Sequence, residues 1–292
     1  MSGETAPMAA ARGGARRSAL RRALSHPSTM IGGTLVLFFV LVAVFAPLIA
    51  PFDPNASDWL AVRQAPSALH WFGTDDLGRD VLSRVIFGSR ASLAAGVIAV
   101  TIAISIGVPL GLVAGYFGGI VDAIIARFTD ALLAVPFLVL AIALAAFLGP
   151  SLQNAMIAIG VSAMPVFVRL TRGQVLSIKN EDYITAVRAL GVRNRNIILA
   201  HVLPNVMAPI VVQVTITMAV AVLAEASLAF LGLGQRPPAP SWGSMLDIAR
   251  QFLTEAPWMA VWPGLAIIAI VLGFNLLGDG LNDTLTPQSE DS

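Results

Sequence analysis

The chain has 292 residues, of which 57% are hydrophobic and only 12% charged, and its net charge is +1. A soluble domain is about 45–50% apolar and about 25% charged, so this composition excludes an ordinary soluble enzyme and a disordered chain. It indicates an integral membrane protein, consistent with a mean hydropathy of +0.80. The small net charge supplies no basic field for nucleic acid, and the absence of cysteine excludes disulfides, thiolate metal sites and cysteine nucleophiles.

Residues 1–29 read as a tail carrying Arg12, Arg16, Arg17, Arg21 and Arg22. A bilayer core of about 30 Å needs about 20 apolar residues in a helix. Apolar runs at 30–50, 91–117, 131–148, 152–168, 208–230 and 258–277 predict an all-α fold of six transmembrane helices. The first run exceeds the 7–15 residues of a signal-peptide core and follows a long tail, so it reads as a span. The segment behind it is acidic, with Asp53, Asp58, Asp75, Asp76 and Asp80. Asp75, Asp76, Arg79 and Asp80 are expected on a solvated polar surface, or against an external partner.

The second run carries small residues at every fourth position: Ala91, Ala95, Ala99, Ala103, Gly107, Gly111, Gly115 and Gly119. Such a stripe lets another helix backbone approach closely. Gly107, Gly111 and Gly115 are therefore candidate packing residues, within the chain as the favoured reading or against a second membrane subunit. Arg127 and Asp130, near the start of the third run, are spaced for a local pair. The third and fourth runs are separated only by Gly149-Pro150-Ser151, which predicts a tight hairpin.

Residues 169–204 form the longest loop on the arginine-rich side. Asn180-Glu181-Asp182 reads as a helix start, with a capping side chain and carboxylates at the positive end of the dipole. Tyr183, Ala186, Val187 and Leu190 recur at helical spacing and Gly191 is a stop signal. A second short helix begins near Asn194 and runs through Ile197, Ile198 and His201 to Pro204. The amphipathic helix suits either a lipid surface or a docking knob for another protein. Glu225 lies near the end of the fifth run, where a carboxylate is costly and faces protein or water. It either bonds the loop carrying Gly232 and Gly234 or lines a pathway. In 235–257, Met245, Leu246, Ala249, Phe252 and Leu253 are helically spaced and predict a segment folded back over the outer vestibule.

Lys179 is the sole lysine and does not sit in a G-x-x-x-x-G-K-[ST] loop, so no phosphate-binding motif exists. His26, His70 and His201 are too far apart for an H-E-x-x-H zinc site. No metal site is expected. Lysine and arginine mark the cytoplasmic side. The tail and the second and fourth loops hold twelve basic residues against six on the other side, which predicts cytoplasmic termini with Asp75 and Trp242 outside.

The stretch Asp182-Tyr183-Ile184-Thr185-Ala186-Val187-Arg188-Ala189-Leu190-Gly191, followed by His201-Val202-Leu203-Pro204-Asn205, resembles the EAA loop of ABC importer permeases. Ala186, Gly191, Leu203 and Pro204 fall on that pattern. Thr185 replaces its glutamate, Val187 its second alanine and His201 its isoleucine, departures similar to the peptide/nickel branch. Three further stretches resemble the second, C-type permease subunit of that branch: Phe72 to Val81, Glu225 to Gly234, and Pro240-Ser241-Trp242-Gly243. The resemblance covers about 30–287 and leaves 1–29 and 288–292 as tails.

The resemblance implies a type I ABC importer permease of the bacterial inner membrane that moves di- or oligopeptides by alternating access, with nickel or another small solute as the alternative cargo. It further implies a heterodimer with a homologous permease, two cytoplasmic ATPase subunits that bind the ATP and magnesium, and an external solute-binding protein. Asp182, Tyr183, Ala186, Val187, Leu190, Gly191, Leu203 and Pro204 would form the ATPase-coupling site. Glu225 and Trp242 would belong to the pathway or outer gate. A stand-alone secondary transporter, from a different class, would instead need ionisable residues at mid-membrane, and the span centres are almost free of them.

Overall fold

A computed structural model of the chain describes residues 26–285; the arginines of the tail and residues 288–292 lie outside that range. The described residues form α1 (Pro27–Ile49), α2 (Val81–Phe117), α3 (Gly119–Leu133), α4 (Phe137–Leu148), α5 (Leu152–Ile178) and α6 (Asp182–Ala189). A helical turn at Asn194–Asn196 and a π-helical segment, Ile197–Val202, lead into α7 (Leu203–Phe230). Then follow α8 (Trp242–Ala249), a 3-10 turn at Arg250–Phe252 and α9 (Trp258–Leu285). Five helices are long and apolar enough to cross a membrane, and six spans result if α3 and α4 count as one.

That pair is where the third run departs from expectation. Between α3 and α4 the axis turns by 89°, so the run is a broken element, not a straight span. Pro136 is the local cause: it has no N–H for the helix ladder, and it pushes Val135 out of helical geometry. The second run also differs, because α2 begins at Val81 and spans 37 residues. The Asp80 side chain caps it, accepting from Ser83 N at 2.8 Å and Ser83 Oγ at 2.7 Å.

The broadest helix pair is α2 with α5. A Cβ added at Gly107 would lie 2.7 Å from Phe167 Cβ, and one at Gly111 would lie 2.6 Å from Thr171 Cβ. At Gly115 it would lie 2.7 Å from Val175 Cβ. The small-residue stripe thus faces α5 of the same chain over these three turns. A second close crossing joins α1 to α9, where a Cβ on Gly32 would come within 2.6 Å of Gly273 O.

The charged cluster after α1 is not a solvated surface. Asp75, Arg79, Asp80 and Arg84 are all buried. Arg79 Nε donates to Asp75 Oδ2 at 2.7 Å and Arg79 Nη2 to Asp76 at 3.1 Å. Arg84 Nε lies 3.3 Å from Asp75 Oδ2, and its Nη1 donates to Pro54 O at 2.7 Å and Pro238 O at 3.4 Å. His70 Nδ1 lies 2.9 Å from Asp80 Oδ1. Mutual pairing and backbone acceptors let these groups leave water together. The result is a polar core that ties residues 52–80, the first turn of α2 and the 237–238 segment into one block.

Asp130 also pairs differently from expectation. Arg169 Nη2 of α5 donates to it at 2.7 Å, and one turn of α5 further on Arg172 Nη2 donates to Asp122 Oδ2 at 2.7 Å. Both carboxylates of α3 therefore clamp to α5, and Arg127 is not their partner in these bonds.

Candidate functional site

The loop after α5 begins with Lys179, whose Nζ donates to Gly115 O at 2.7 Å and so closes the carbonyl end of α2. Glu181 occupies the N-cap of α6 without a side-chain cap bond, and the Asn180 amide donates backwards to Leu176 O. Asp182 stands alone in the acidic role at the first turn. The helix is short, and one residue anchors it: Ile184 is fully buried, with Val187 half-buried beside the same core. Tyr183, Ala186 and Leu190 point away and are exposed, Leu190 by 82%.

Gly191 has φ +75° and nothing within 4 Å of an added Cβ. It is needed for its backbone conformation, not for space. Its N–H bonds Arg188 O at 3.0 Å, closing the helix. The chain returns through Asn194–Asn196 and the π-segment. Leu203 is half-buried, and Pro204 sits exposed where the π-helical segment passes without a break into α7.

Three further contacts bind the loop to the helices, none of them evident from periodicity. Tyr116 Oη at the end of α2 donates to Asn194 Oδ1 at 2.9 Å. The Arg188 guanidinium carbon lies 5.8 Å over the Tyr116 ring. Asn205 Nδ2 donates to Tyr183 Oη at 3.0 Å. The π-segment is itself a feature that concentrates at functional sites.

At the opposite end, Trp242 is fully buried. Its Nε1 donates to Val85 O at 2.9 Å, and its ring meets Phe39 edge-on at 5.5 Å. Glu225 is also fully buried, and its Oε2 accepts from Ser92 Oγ at 3.0 Å. The two residues thus knit α7, α8 and α2 together inside the chain. The predicted fold-back segment is α8, which opens with a capping box of Ser241 and Ser244 and buries Met245 and Ala249.

A cleft of about 300 Å³ opens beside the α3–α4 break, between the middles of α5 and α7. Its wall is apolar apart from Ser162, Gln213 and Thr217. Sequence reading passed over it, although Pro136 inside an apolar run was the available signal. Among the described residues, no group of three or more His, Cys, Asp or Glu is placed to hold a metal.

A family model described as "Binding-protein-dependent transport system inner membrane component" matches residues 107–290, and one described as "N-terminal TM domain of oligopeptide transport permease C" matches residues 15–66. The chain is 47% identical over 275 residues to the dipeptide transport system permease protein DppC of Alkalihalophilus pseudofirmus, covering 93% of this chain and 90% of that one. It is 43% identical to the probable D,D-dipeptide transport system permease protein DdpC of Escherichia coli, covering 90% and 88% respectively. It is 45% identical to a glutathione transport system permease protein, GsiD, of Escherichia coli, covering 92% and 89%. Among solved structures, an inward-facing form of the MetNI methionine ABC transporter aligns with a TM-score of 0.57 at 22% identity, over 70% of this chain and 97% of that one. The fold is that of an ABC importer permease, and the multi-pass architecture, the paired model matches and these identities converge: the chain belongs to the inner-membrane permease components of binding-protein-dependent transport systems, in the C-type branch of the peptide permeases.

Proposed function

We propose that this permease imports di- or oligopeptides, as the C-type half of a heterodimer with a homologous permease. Two ATPase subunits bind the nucleotide and magnesium, and an external solute-binding protein delivers the cargo. The orientation that supports this reading places residues 179–202 and both termini in the cytoplasm, as the distribution of arginine favours. The relatives named for dipeptide and glutathione transport support the cargo class.

The observation that carries the coupling role is the division of α6 into two faces. Ile184 is sealed inside while Ala186 and Leu190, and the ring of Tyr183 above its bond to Asn205, are exposed on the outside. An exposed apolar face on a helix held rigidly from beneath is a surface built for a protein groove. ATP-driven closure of the ATPase pair moves that groove, and the anchored helix passes the displacement to α2 and α7, opening the pathway alternately to each side.

The test is uptake of labelled dipeptides, tripeptides, longer peptides and nickel in cells lacking this chain and in cells with it restored. Restoration of peptide uptake is expected. Restoration of nickel uptake alone would overturn the peptide assignment, and uptake without any ATPase partner would overturn the importer assembly.

A further inference from the structure

The segment between α1 and α2 exposes two large apolar side chains in succession, Trp59 by 74% and Leu60 by 92%. Scattered apolar residues are ordinary on a surface. What distinguishes this pair is how firmly the turn beneath it is held. Asp58 Oδ1 accepts from Leu60 N at 2.9 Å, and Asp58 O accepts from Ala61 N at 3.0 Å. Gln64 Nε2 donates to Leu60 O at 3.0 Å. The carbonyl of buried Ala61 accepts from Thr74 Oγ1, and Gln64 N donates to that same hydroxyl oxygen at 2.8 Å. Gly78 packs so closely on the turn that an added Cβ would lie 1.8 Å from Asp58 O.

The exit of the turn is fixed as well. Arg63 has φ +50°, a conformation uncommon for a residue with a side chain and persistent only where its surroundings over-determine it. Its N–H donates to Asp75 O at 2.9 Å, its Nε lies 3.4 Å from Glu255 Oε2, and its guanidinium carbon stands 4.8 Å over the Phe252 ring. Leu253, next in the chain to Phe252, is exposed. A turn immobilised in this way presents its apolar residues with little left to order on contact, and tryptophan is among the residues that most often anchor a protein interface.

Charge identifies the kind of partner. Asp53 and Asp58 are exposed, and among the described residues neither has a cation within ion-pair distance. The arginines of the segment are engaged elsewhere, Arg63 with Glu255 and Arg79 with Asp75 and Asp76. Uncompensated negative charge therefore stands beside Trp59. Phospholipid headgroups would set phosphate against it, whereas a protein surface with lysine or arginine around an apolar pocket complements both features.

We propose that the turn at 58–60 is a docking point for the external solute-binding protein, with Trp59 and Leu60 entering an apolar pocket and Asp53 and Asp58 meeting its basic rim. The inference rests on the importer assembly and orientation proposed above, and it names where on this chain that partner sits.

The experiment titrates the complete importer in lipid nanodiscs with its solute-binding protein, loaded with trialanine, and reads ATP hydrolysis. Trp59→Ser combined with Leu60→Ser should raise the half-saturating concentration of the binding protein by about tenfold or more. The rate at saturation should stay within about twofold of wild type, and the melting temperature should hold, because both side chains are largely in solvent. Asp53→Asn with Asp58→Asn keeps side-chain acceptors for Asn55 N and Leu60 N and removes the charges, so half-saturation should depend less steeply on salt. An unchanged half-saturating concentration in the Trp59 and Leu60 variant would overturn the proposal. So would a lower rate at saturation with no change in half-saturation, or a loss of stability confined to anionic bilayers, which would put the turn in lipid. A salt dependence equal to that of wild type in the Asp53 and Asp58 variant would overturn the basic rim. If the binding protein fails to stimulate wild type, the assembly reading itself falls and this surface with it. Stimulation of wild type and variants alike removes the docking point alone.

Discussion

Tyr116 Oη donates to Asn194 Oδ1 at 2.9 Å, joining the last turn of α2 to the turn that follows α6. Arg188 of α6 lies over the same ring, so one buried tyrosine touches both α6 and its exit. A hydrogen bond of this kind is worth about 0.5–1.5 kcal/mol. Tyr116→Phe keeps the ring and removes the bond. It should leave ATPase pull-down intact and lower transport per ATP hydrolysed by about two- to tenfold. Asn194→Ala should do the same, and the double variant should be no worse than either single one. Full coupling in Tyr116→Phe would show that the contact is passive.

On the face of α6 proposed for docking, Ala186→Arg places a long cation among exposed groups, so it should fold normally and lose ATPase binding. Gly191→Val meets no neighbouring atom but must adopt φ +75°, which a β-branched side chain resists. A cost of about 1–3 kcal/mol is expected, read as weakened pull-down, while Gly191→Asn should retain most binding because asparagine tolerates this region. Normal binding and coupled hydrolysis in Ala186→Arg would return α6 to a lipid-surface role.

Close packing of α2 on α5 predicts that Gly111→Leu is poorly tolerated, since even a Cβ would press on Thr171 Cβ and on Val168 O at 2.7 Å. Overpacking costs about 1–3 kcal/mol, visible as a lower melting temperature in detergent. Gly264→Ala is the control, because nothing lies within 4 Å of its added Cβ. Leu112 is not a suitable control: it is buried in the core cluster, and its truncation should itself cost about 2–5 kcal/mol.

Arg84→Met removes one member of a buried ion cluster and leaves Asp75 to Arg79 alone. Breaking such a group costs about 3–5 kcal/mol, so little folded protein should accumulate. Asp75→Asn together with Arg84→Met should recover part of the yield, because no uncompensated carboxylate remains. Wild-type stability in Arg84→Met would mean that water reaches the cluster freely.

Orientation is open to labelling, since the chain has no native cysteine. Leu60→Cys, at a position 92% exposed, should react with an impermeant thiol reagent on intact cells. Leu190→Cys should react only after permeabilisation. The reverse pattern would invert the topology.

The spans and the short helix α6 with its glycine stop were legible because their signals are local: apolar length, a four-residue stripe, a glycine after a periodic run. What was not legible depends on partners distant in sequence. Ile184 differs from its neighbours on α6 only by what lies beneath it. Asp75 and Arg79 read as surface charges because what covers them is distant in sequence: Arg84, which pairs with Asp75, is itself held by carbonyls at Pro54 and Pro238, one of them more than 150 residues away. Gly32 and Gly273 meet across α1 and α9 with no repeat to announce them. Pro136 did carry a local warning, but the continuous apolar run on both sides of it outweighed the break.

Helix α2 starts at the Arg84 cluster and ends at Tyr116, unbroken through Pro109 over 37 residues, a length of about 55 Å. Each terminus is gripped by polar contacts to segments from elsewhere in the chain, and its middle lies flush against α5. A member fixed at both ends and braced along its side has little freedom to absorb a displacement by bending. A twist or thrust applied at the tyrosine end is therefore delivered to the arginine end, and the reverse. The two faces of the membrane are in this sense in mechanical contact through a single piece of secondary structure.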